Sequence, residues 1–346
     1  MERRIRLALV GLNFGRHIAE HELLDGHGAP HVELAGICDL DHGKAAALAA
    51  RYGVRHYGTL DEILRDPAIE AVALYIPPHG RARVIEQCLS AGKHVMTTKP
   101  FEDNVPAARR ALEMARSRGL VIHLNSPAPT PCGEFLRFRE WEQEFSLGRP
   151  VSAFWETHAR YSEVADGTWM DDPELCPAAP VFRLGIYGIA DLIELCGPAI
   201  ECRVLQSRTE TGRPTMDNGM LSVRFENGCL GCIAASFRVD NGTPYRNTLL
   251  IHYEHGSVTR SIPCLNVPDR KIQIGLQTIQ NGIPVVRQEF IDEAGRAGQY
   301  QWSEFNRAIR EKLSIQSEYI NRIVGTVELI NQFRDQAVHE LFQLSV

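Results

Sequence analysis

No stretch of the sequence approaches the ~20 consecutive apolar residues that a membrane-spanning helix requires, so the chain is not expected to cross or sit in a membrane. Arg3, Arg4 and Arg6 do precede an apolar run over residues 7–12. That run is too short for the apolar core of a secretory signal and meets Asn13, Arg16 and His17, so it reads as a first strand. An excess of positive charge is missing too: 37 Lys and Arg face 43 Asp and Glu, for a formal net charge of −6. That balance offers no electrostatic footprint for nucleic acid. The cysteines number nine, an odd count, and they are scattered, which argues against a full disulfide framework. Cys229 and Cys232 form C-x-x-C, but in an apparent strand after the Asn227-Gly228 turn, where alternation sends them to opposite faces. That arrangement suits neither zinc nor a redox pair, and no metal is expected. Reduced thiols and no export signal point to the cytoplasm. There are no internal repeats and no low-complexity tract.

What the chain does contain is enough for two globular domains. At 346 residues, 44% apolar and 23% charged, it exceeds the size at which one core usually stops growing. Residues 1–126 alternate strand-length apolar runs (4–10, 32–38, 71–76, 94–98 and 121–125) with helical segments carrying end signals. Asp41 is placed to cap a helix that Gly53 ends, Thr59-Leu-Asp-Glu62 is a capping box, and Asn104 with Pro106 opens a helix that Gly119 closes. A further helix runs from about Arg81 to Gly92. Such alternation predicts parallel strands with right-handed crossovers and helices on both faces.

After the proline-rich joint at 127–132 the pattern changes to period-two alternation. Strands are predicted over 151–161, 221–225, 229–239, 248–254 and 257–262, with the Asn227-Gly228 turn marking a hairpin. Residues 127–346 are therefore predicted to form an α+β domain with a large, mostly antiparallel open sheet. Ile320, Ile323, Val324, Val327 and Ile330 recur at helical spacing as a core stripe, and the last helices are expected to pack back on the first domain.

In an open parallel sheet, ligands bind beyond the carboxyl ends of the strands. Gly11, Asp39, Pro77-Pro78, Lys99 and Asn125 all fall where those ends are predicted. The first turn reads Val10-Gly-Leu-Asn-Phe-Gly15. Gly11 supplies the tight turn and Gly15 the helix entry that let a pyrophosphate meet backbone N–H groups, with Phe14 in the same turn. Asn13 replaces the usual middle glycine and, of non-glycine residues, tolerates positive φ well. Asp39 lies 24 residues beyond Gly15, near the spacing of a carboxylate that binds a ribose 2′-hydroxyl. Dinucleotide binding is the reading that unites these features. The carboxylate favours NAD over NADP, with Lys44 one turn further as a softening cation.

The segment Ala91-Gly-Lys-His-Val-Met-Thr-Thr-Lys-Pro100 resembles the A-G-K-H-V…E-K-P signature of the glucose–fructose oxidoreductase and inositol dehydrogenase (Gfo/Idh/MocA) family. The Rossmann turn, Cys38-Asp39-Leu40 and the Trp169…Pro173…Gly185-Ile-Tyr187 stretch extend the resemblance over nearly the whole chain. It implies a Rossmann domain followed by an α+β substrate domain, a nicotinamide cofactor, and association into a homodimer or homotetramer through the open sheet. The family lysine maps onto Lys99, and the glutamate before it is Thr98. Arg81 stands where many relatives have histidine. Where many members carry an aspartate and a histidine four residues apart, this chain has Arg183 and Tyr187; a subset, with sugar ketoreductases among it, uses tyrosine at the second position.

Residues four apart share a helix face, so Arg183 and Tyr187 are expected together. A tyrosine with an ordinary pKa near ~10 holds its proton tightly, and nearby cations such as Arg183 and Lys99 favour its phenolate. The expected activity is NAD(P)-dependent hydride transfer to or from a hydroxyl or carbonyl carbon of a sugar, cyclitol or related polyol. Lys99 would polarise the substrate oxygen and Tyr187 would exchange its proton, with Arg160 and Trp169 as further substrate contacts. His79 and His123 are read as structural. One alternative is a non-catalytic dinucleotide-binding regulator or scaffold, kept alive by Asn13, Thr98 and Arg183. Another is an enzyme that uses tightly held cofactor for lysis or hydrolysis.

Overall fold

The computed structural model describes residues 3–264, 270–292 and 298–344, without the side chains of 340–344. The chain forms two compact units, Met1–Thr130 with Tyr300–Val324, and Pro131–Gln299 with Gly325–Val346. The first unit thus runs four residues past the boundary expected at 126 and also takes in the stretch from Tyr300.

In the first unit, β1 (Ile5–Val10), β2 (Val32–Cys38), β3 (Arg55–His56), β4 (Ala71–Leu74), β5 (His94–Thr97) and β6 (Ile122–Leu124) make one six-stranded sheet in the order β3-β2-β1-β4-β5-β6. Every pairing is parallel. All five expected strands are present; β3, only two residues long, is too short to display a period. The crossovers are α1 (Phe14–Ile18, continued by a π-helical turn Ala19–Leu23), α2 (His42–Tyr52), α3 (Leu60–Arg65), α4 (Arg81–Ser90) and α5 (Val105–Arg118). The N-caps of α2, α3 and α5 are the ones read from sequence. Asp41 accepts from Lys44 N at 3.0 Å, Thr59 from Glu62 N at 3.3 Å, and Asn104 from Ala107 N at 2.9 Å. Gly53 and Gly119 end α2 and α5 in the left-handed region, at φ 67° and 65°.

In the second unit, α6 (Gly133–Glu144) is followed by β7 (Pro150–His158), α7 (Ile186–Cys196), β8 (Ala199–Ser207), β9 (Asn218–Phe225), β10 (Leu230–Ser236), β11 (Asn247–Tyr253), β12 (Gly256–Ile262), β13 (Lys271–Gln280) and β14 (Ile283–Asp292). The eight strands order as β14-β13-β12-β11-β7-β10-β9-β8. All neighbours are antiparallel except β7 and β10. Three strands were not anticipated, β8, β13 and β14, although Ile272, Ile274 and Leu276 of β13 carry a legible alternation. One sheet face is covered: Phe135, Phe138 and Trp141 of α6 join Ile186, Ile189 and Leu192 of α7 in its core. Within that core Arg260 donates to Asp191 Oδ2 and to Asn247 Oδ1, each at 2.6 Å, and Trp155 Nε1 donates to Asp191 at 3.1 Å. The opposite face presents Phe154, Met220 and Leu230, each about half exposed.

Two further helices close the chain, α8 (Trp302–Arg310) and α9 (Ser317–Leu344). Trp302, Phe305 and Ile309, at spacings of three and four, enter the core of the first unit. The stripe along α9 is divided: Ile320, Ile323 and Val324 belong to the first unit, whereas Leu329, Ile330 and Phe333 join the core of the second.

One buried imidazole, His123, and one half-buried, His94, make the stability of the first unit pH-dependent. Burial pushes His94 down to about 4 and His123 down to about 3, with Arg307 and His94 adding to the effect on His123. In the unfolded chain each takes a proton near pH 6.5, whereas the folded protein resists it. Their contribution is complete above that pH and is lost as pH falls toward the folded values. Thermal denaturation is expected to show a midpoint several degrees lower at pH 5 than at pH 7.5. His123→Phe, whose ring fits beside Phe305 and Tyr319, should reduce that difference; an unchanged pH dependence would exclude His123 as a source.

Candidate functional site

Because all six strands of the first sheet are parallel, their carboxyl ends share one edge, and the strand order reverses direction at the β1/β4 pair. The Gly-rich turn lies at that reversal. Gly11, at φ 90°, donates to Cys38 O at 3.0 Å, and a Cβ there would sit 2.6 Å from Tyr75 O. A Cβ on Gly15 would come within 2.7 Å of Leu9. Both positions therefore require glycine, one by conformation and contact, the other by close packing of helix on strand. Asn13 does not use the positive φ expected of it: at φ −69° it begins the helix in the right-handed region, without capping it. Its Oδ1 instead accepts from Lys44 Nζ at 2.7 Å. The first turn of α1 therefore has no side-chain cap on its N–H groups, which suits an anionic pyrophosphate.

Asp39 plays a part that spacing alone did not reveal. Its Oδ2 accepts from Leu12 N at 2.6 Å and its Oδ1 from Asp41 N at 2.9 Å, so it braces the glycine turn from the end of β2. Each carboxylate oxygen has a second lone pair for a ribose hydroxyl. Phe14, 46% exposed, lies edge-on to Tyr75, the residue directly after β4.

Pro77 and Pro78 follow β4, and Lys99 follows β5. Asn125, directly after β6, accepts from Lys99 N at 3.2 Å. Two residues outside the expected set hold these loops together. Arg81, 2% exposed, extends its guanidinium to carbonyls of both loops, and Glu102, 1% exposed, accepts from backbone N–H groups on either side of Arg81. Burial lowers Arg81 to about 10, still well above neutrality, and burial also raises Glu102. In the sequence, nothing separates Glu102 from an ordinary solvated carboxylate. Nearby, His79 Nδ1 meets Asp103 Oδ2 at 2.6 Å.

In the second unit, Arg183 and Tyr187 are the two residues of 181–190 that are not buried, as expected for one helix face. The local helix is not uniform: Val181–Gly185 is a π-helical turn that leads into α7. The ring of Tyr187 packs on Gly298, where a Cβ would lie 3.1 Å from it. Arg183 is half of an ion pair rather than an isolated cation. Its fork meets Glu163 at 2.6 and 2.7 Å, and its guanidinium lies over the rings of Phe237 and Tyr161. Burial alone would lower Arg183, but the pair with Glu163 outweighs it and raises it. Because Glu163 offsets the charge, Arg183 supplies less field for a phenolate than a lone cation would. Arg213 extends the network to Glu163, Asp166 and Asp171 at 3.1, 2.9 and 2.6 Å, fixing the segment that carries Trp169. Trp169 packs edge-on to Phe182. Arg160 is half exposed, 3.8 Å from Asp240.

Among the described residues, no helix is long and apolar enough to cross a membrane. All nine cysteines are free thiols.

Comparison with known proteins agrees with this fold. Residues 5–126 match a family profile described as oxidoreductase family, NAD-binding Rossmann fold, and residues 135–259 match the GFO/IDH/MocA C-terminal domain. An uncharacterized oxidoreductase of Schizosaccharomyces pombe is 33% identical over 156 residues, covering 44% of this chain and 41% of that protein. The dTDP-3,4-didehydro-2,6-dideoxy-α-D-glucose 3-reductase of Streptomyces violaceoruber is 31% identical over 122 residues, 35% of this chain and 36% of the reductase. These alignments thus span well under two thirds of either relative. Over the full chain the fold matches a 3-ketoreductase from Actinomadura kijaniata, solved with TDP-benzene and NADP, at TM-score 0.72 and 18% identity, covering 95% of this chain and 96% of that one. From the glycine turn of the parallel sheet to the open antiparallel sheet, this chain belongs to the Gfo/Idh/MocA oxidoreductase family.

Proposed function

We propose that the protein is an NAD(P)-dependent oxidoreductase that moves a hydride between nicotinamide and a hydroxyl or carbonyl carbon of a sugar, cyclitol or related polyol. The observation that carries this reading is the gathering of Gly11, Asp39, Lys99 and Asn125 along one carboxyl edge, with the Lys99 backbone held by Asn125. The dinucleotide supplies the hydride chemistry, and the protein supplies orientation and proton transfer. Gly11, Asn13, Phe14, Gly15 and the Pro77-Pro78 loop form its bed. Lys99 polarises the substrate oxygen, and Tyr187 exchanges the proton. Arg160, Trp169 and Arg183 serve as substrate contacts, Arg183 through a position set by Glu163. The sugar reductases among the relatives support a substrate of this class, and they make nucleotide sugars the first compounds to try. Turnover on a panel of sugars, cyclitols and nucleotide sugars is the test; dinucleotide binding without turnover on any of them would select the non-catalytic alternative.

Within this reading the cofactor is NAD. Asp39 and Asp41 place two carboxylates at the end of β2, which repel a 2′-phosphate. Lys44 opposes them, and the 3-ketoreductase structure holds NADP. Titration of both dinucleotides should give tighter NAD binding, and Asp39→Ala should shift the ratio toward NADP; a clear NADP preference in the unaltered protein would overturn the assignment.

The protein is also proposed to associate through the uncovered face of the second sheet, as a homodimer or homotetramer. Phe154, Met220 and Leu230 leave on that face an apolar surface of the kind that marks interfaces. Light scattering at micromolar concentration should report a multiple of 38.7 kDa, and Phe154→Glu should lower it.

A further inference from the structure

Two loops at the carboxyl edge of the first sheet are stitched together by opposite charges acting on opposite backbone groups. Arg81 gives Nε to Ile76 O at 3.1 Å and Nη1 to Thr98 O at 2.6 Å and Phe101 O at 3.4 Å. Its Nη1 also reaches Pro100 O, and its Nη2 reaches Ile76 O. Glu102 returns the connection: Oε1 accepts from Gly80 N at 3.2 Å and Oε2 from Ala82 N at 2.6 Å, the amides that flank Arg81. The guanidinium therefore binds the carbonyls on both sides of Lys99, while Asn125 accepts from the amide of Lys99 itself.

We infer that Arg81, locked in place by Glu102, is the positioning residue for Lys99. The inference rests on the functional reading above only for the consequence in turnover. The physical case is independent of it. A buried guanidinium is costly unless its donors are satisfied, and here they are spent on carbonyls rather than on a carboxylate. Five N–H donors in a rigid fork can hold several oxygens in fixed relation, which an ammonium cannot do. Arg81 anchors the carbonyl of residue 98 and Asn125 the amide of Lys99, so the peptide plane that enters Lys99 is held at both edges, while the Pro100 carbonyl pins the plane beyond the proline. Together they restrict the direction in which the Lys99 side chain leaves the backbone. Positioning of this kind is where misplacement by ~1 Å can cost ~10²-fold in rate.

The test exploits the scarcity of lysine. The chain has five, Lys44, Lys93, Lys99, Lys271 and Lys312, so reductive methylation with [¹³C]formaldehyde gives few signals, and Lys99→Arg identifies the one from Lys99. In the unaltered protein the Lys99 signal should stand apart from those of exposed lysines in shift. In Arg81→Met it should move to the exposed-lysine position, and kcat should fall at least tenfold at nearly constant KM for the dinucleotide. Arg81→Lys keeps the charge but loses the fork and guards against a misfolded methionine variant; its Lys99 signal should also move. A Lys99 signal that coincides with exposed lysines from the start, or one unmoved in a folded Arg81 variant, overturns the inference. Absence of turnover in the unaltered protein would instead count against the functional reading, with the resonance still deciding the role of Arg81.

Discussion

Tyr187→Phe is expected to lower turnover by ~10²–10⁴-fold, the usual contribution of a positioned acid or base, while dinucleotide affinity stays nearly constant. The substitution removes only the hydroxyl, and the ring keeps its packing against Gly298. Lys99→Ala should be comparably severe, and the double variant should lose less than the product of the two, because groups that act on one proton transfer act as a unit. The pH profile of the unaltered protein should contain a limb that is absent from the phenylalanine variant. Arg183→Leu should act mainly by releasing Glu163, since the two charges offset one another. It should therefore disturb substrate affinity and stability more than the position of that limb. Steady-state kinetics on the first substrate found measures all of this. Full activity in Tyr187→Phe would show that the ring only packs.

Gly11→Ala is expected to abolish measurable dinucleotide binding at concentrations that saturate the unaltered protein, a loss of at least ~10²-fold, equivalent to about 2.8 kcal/mol. Two effects coincide at this residue. At φ 90° any L side chain is strained, and the new Cβ would meet the carbonyl oxygen and carbon of Tyr75 at 2.6 and 2.9 Å. Both contacts are backbone atoms of the adjoining strand end, so no rotamer change relieves them and the turn itself must move. Gly53→Ala is the control: it shares the left-handed conformation, at φ 67°, but nothing lies within 4 Å. It should destabilise by about 1–2 kcal/mol, the cost of a side chain on a left-handed backbone, and leave binding intact. Dinucleotide titration of the two variants, read beside their melting temperatures, separates loss of the bed from loss of stability. Equal binding in both would remove Gly11 from the cofactor site.

Much of the first unit was legible because its signals are local. The Asp41, Thr59 and Asn104 caps each satisfy an amide three residues away. The apolar runs declare strands buried on both faces without reference to any partner. Even the carboxyl-edge constellation follows from strand order alone, since parallel strands must end on one side. Asp39 was legible as a carboxylate in the right place, but not as the brace of the glycine turn, because its partner Leu12 lies 27 positions away.

By itself, then, the sequence determined a parallel Rossmann sheet, a mostly antiparallel second sheet and the family to which both belong, along with the residues that end the parallel strands on one edge. Periodicity and capping act within a few residues and survive in a one-dimensional record. Only the tertiary structure decided that Arg81 and Glu102 stitch the loop that carries Lys99 and that Arg183 is paired with Glu163. Each of these joins groups distant along the chain, where a charge or an apolar stripe looks the same whatever it will meet. Burial gives such pairs their strength by removing water, and burial is a property of the packed chain.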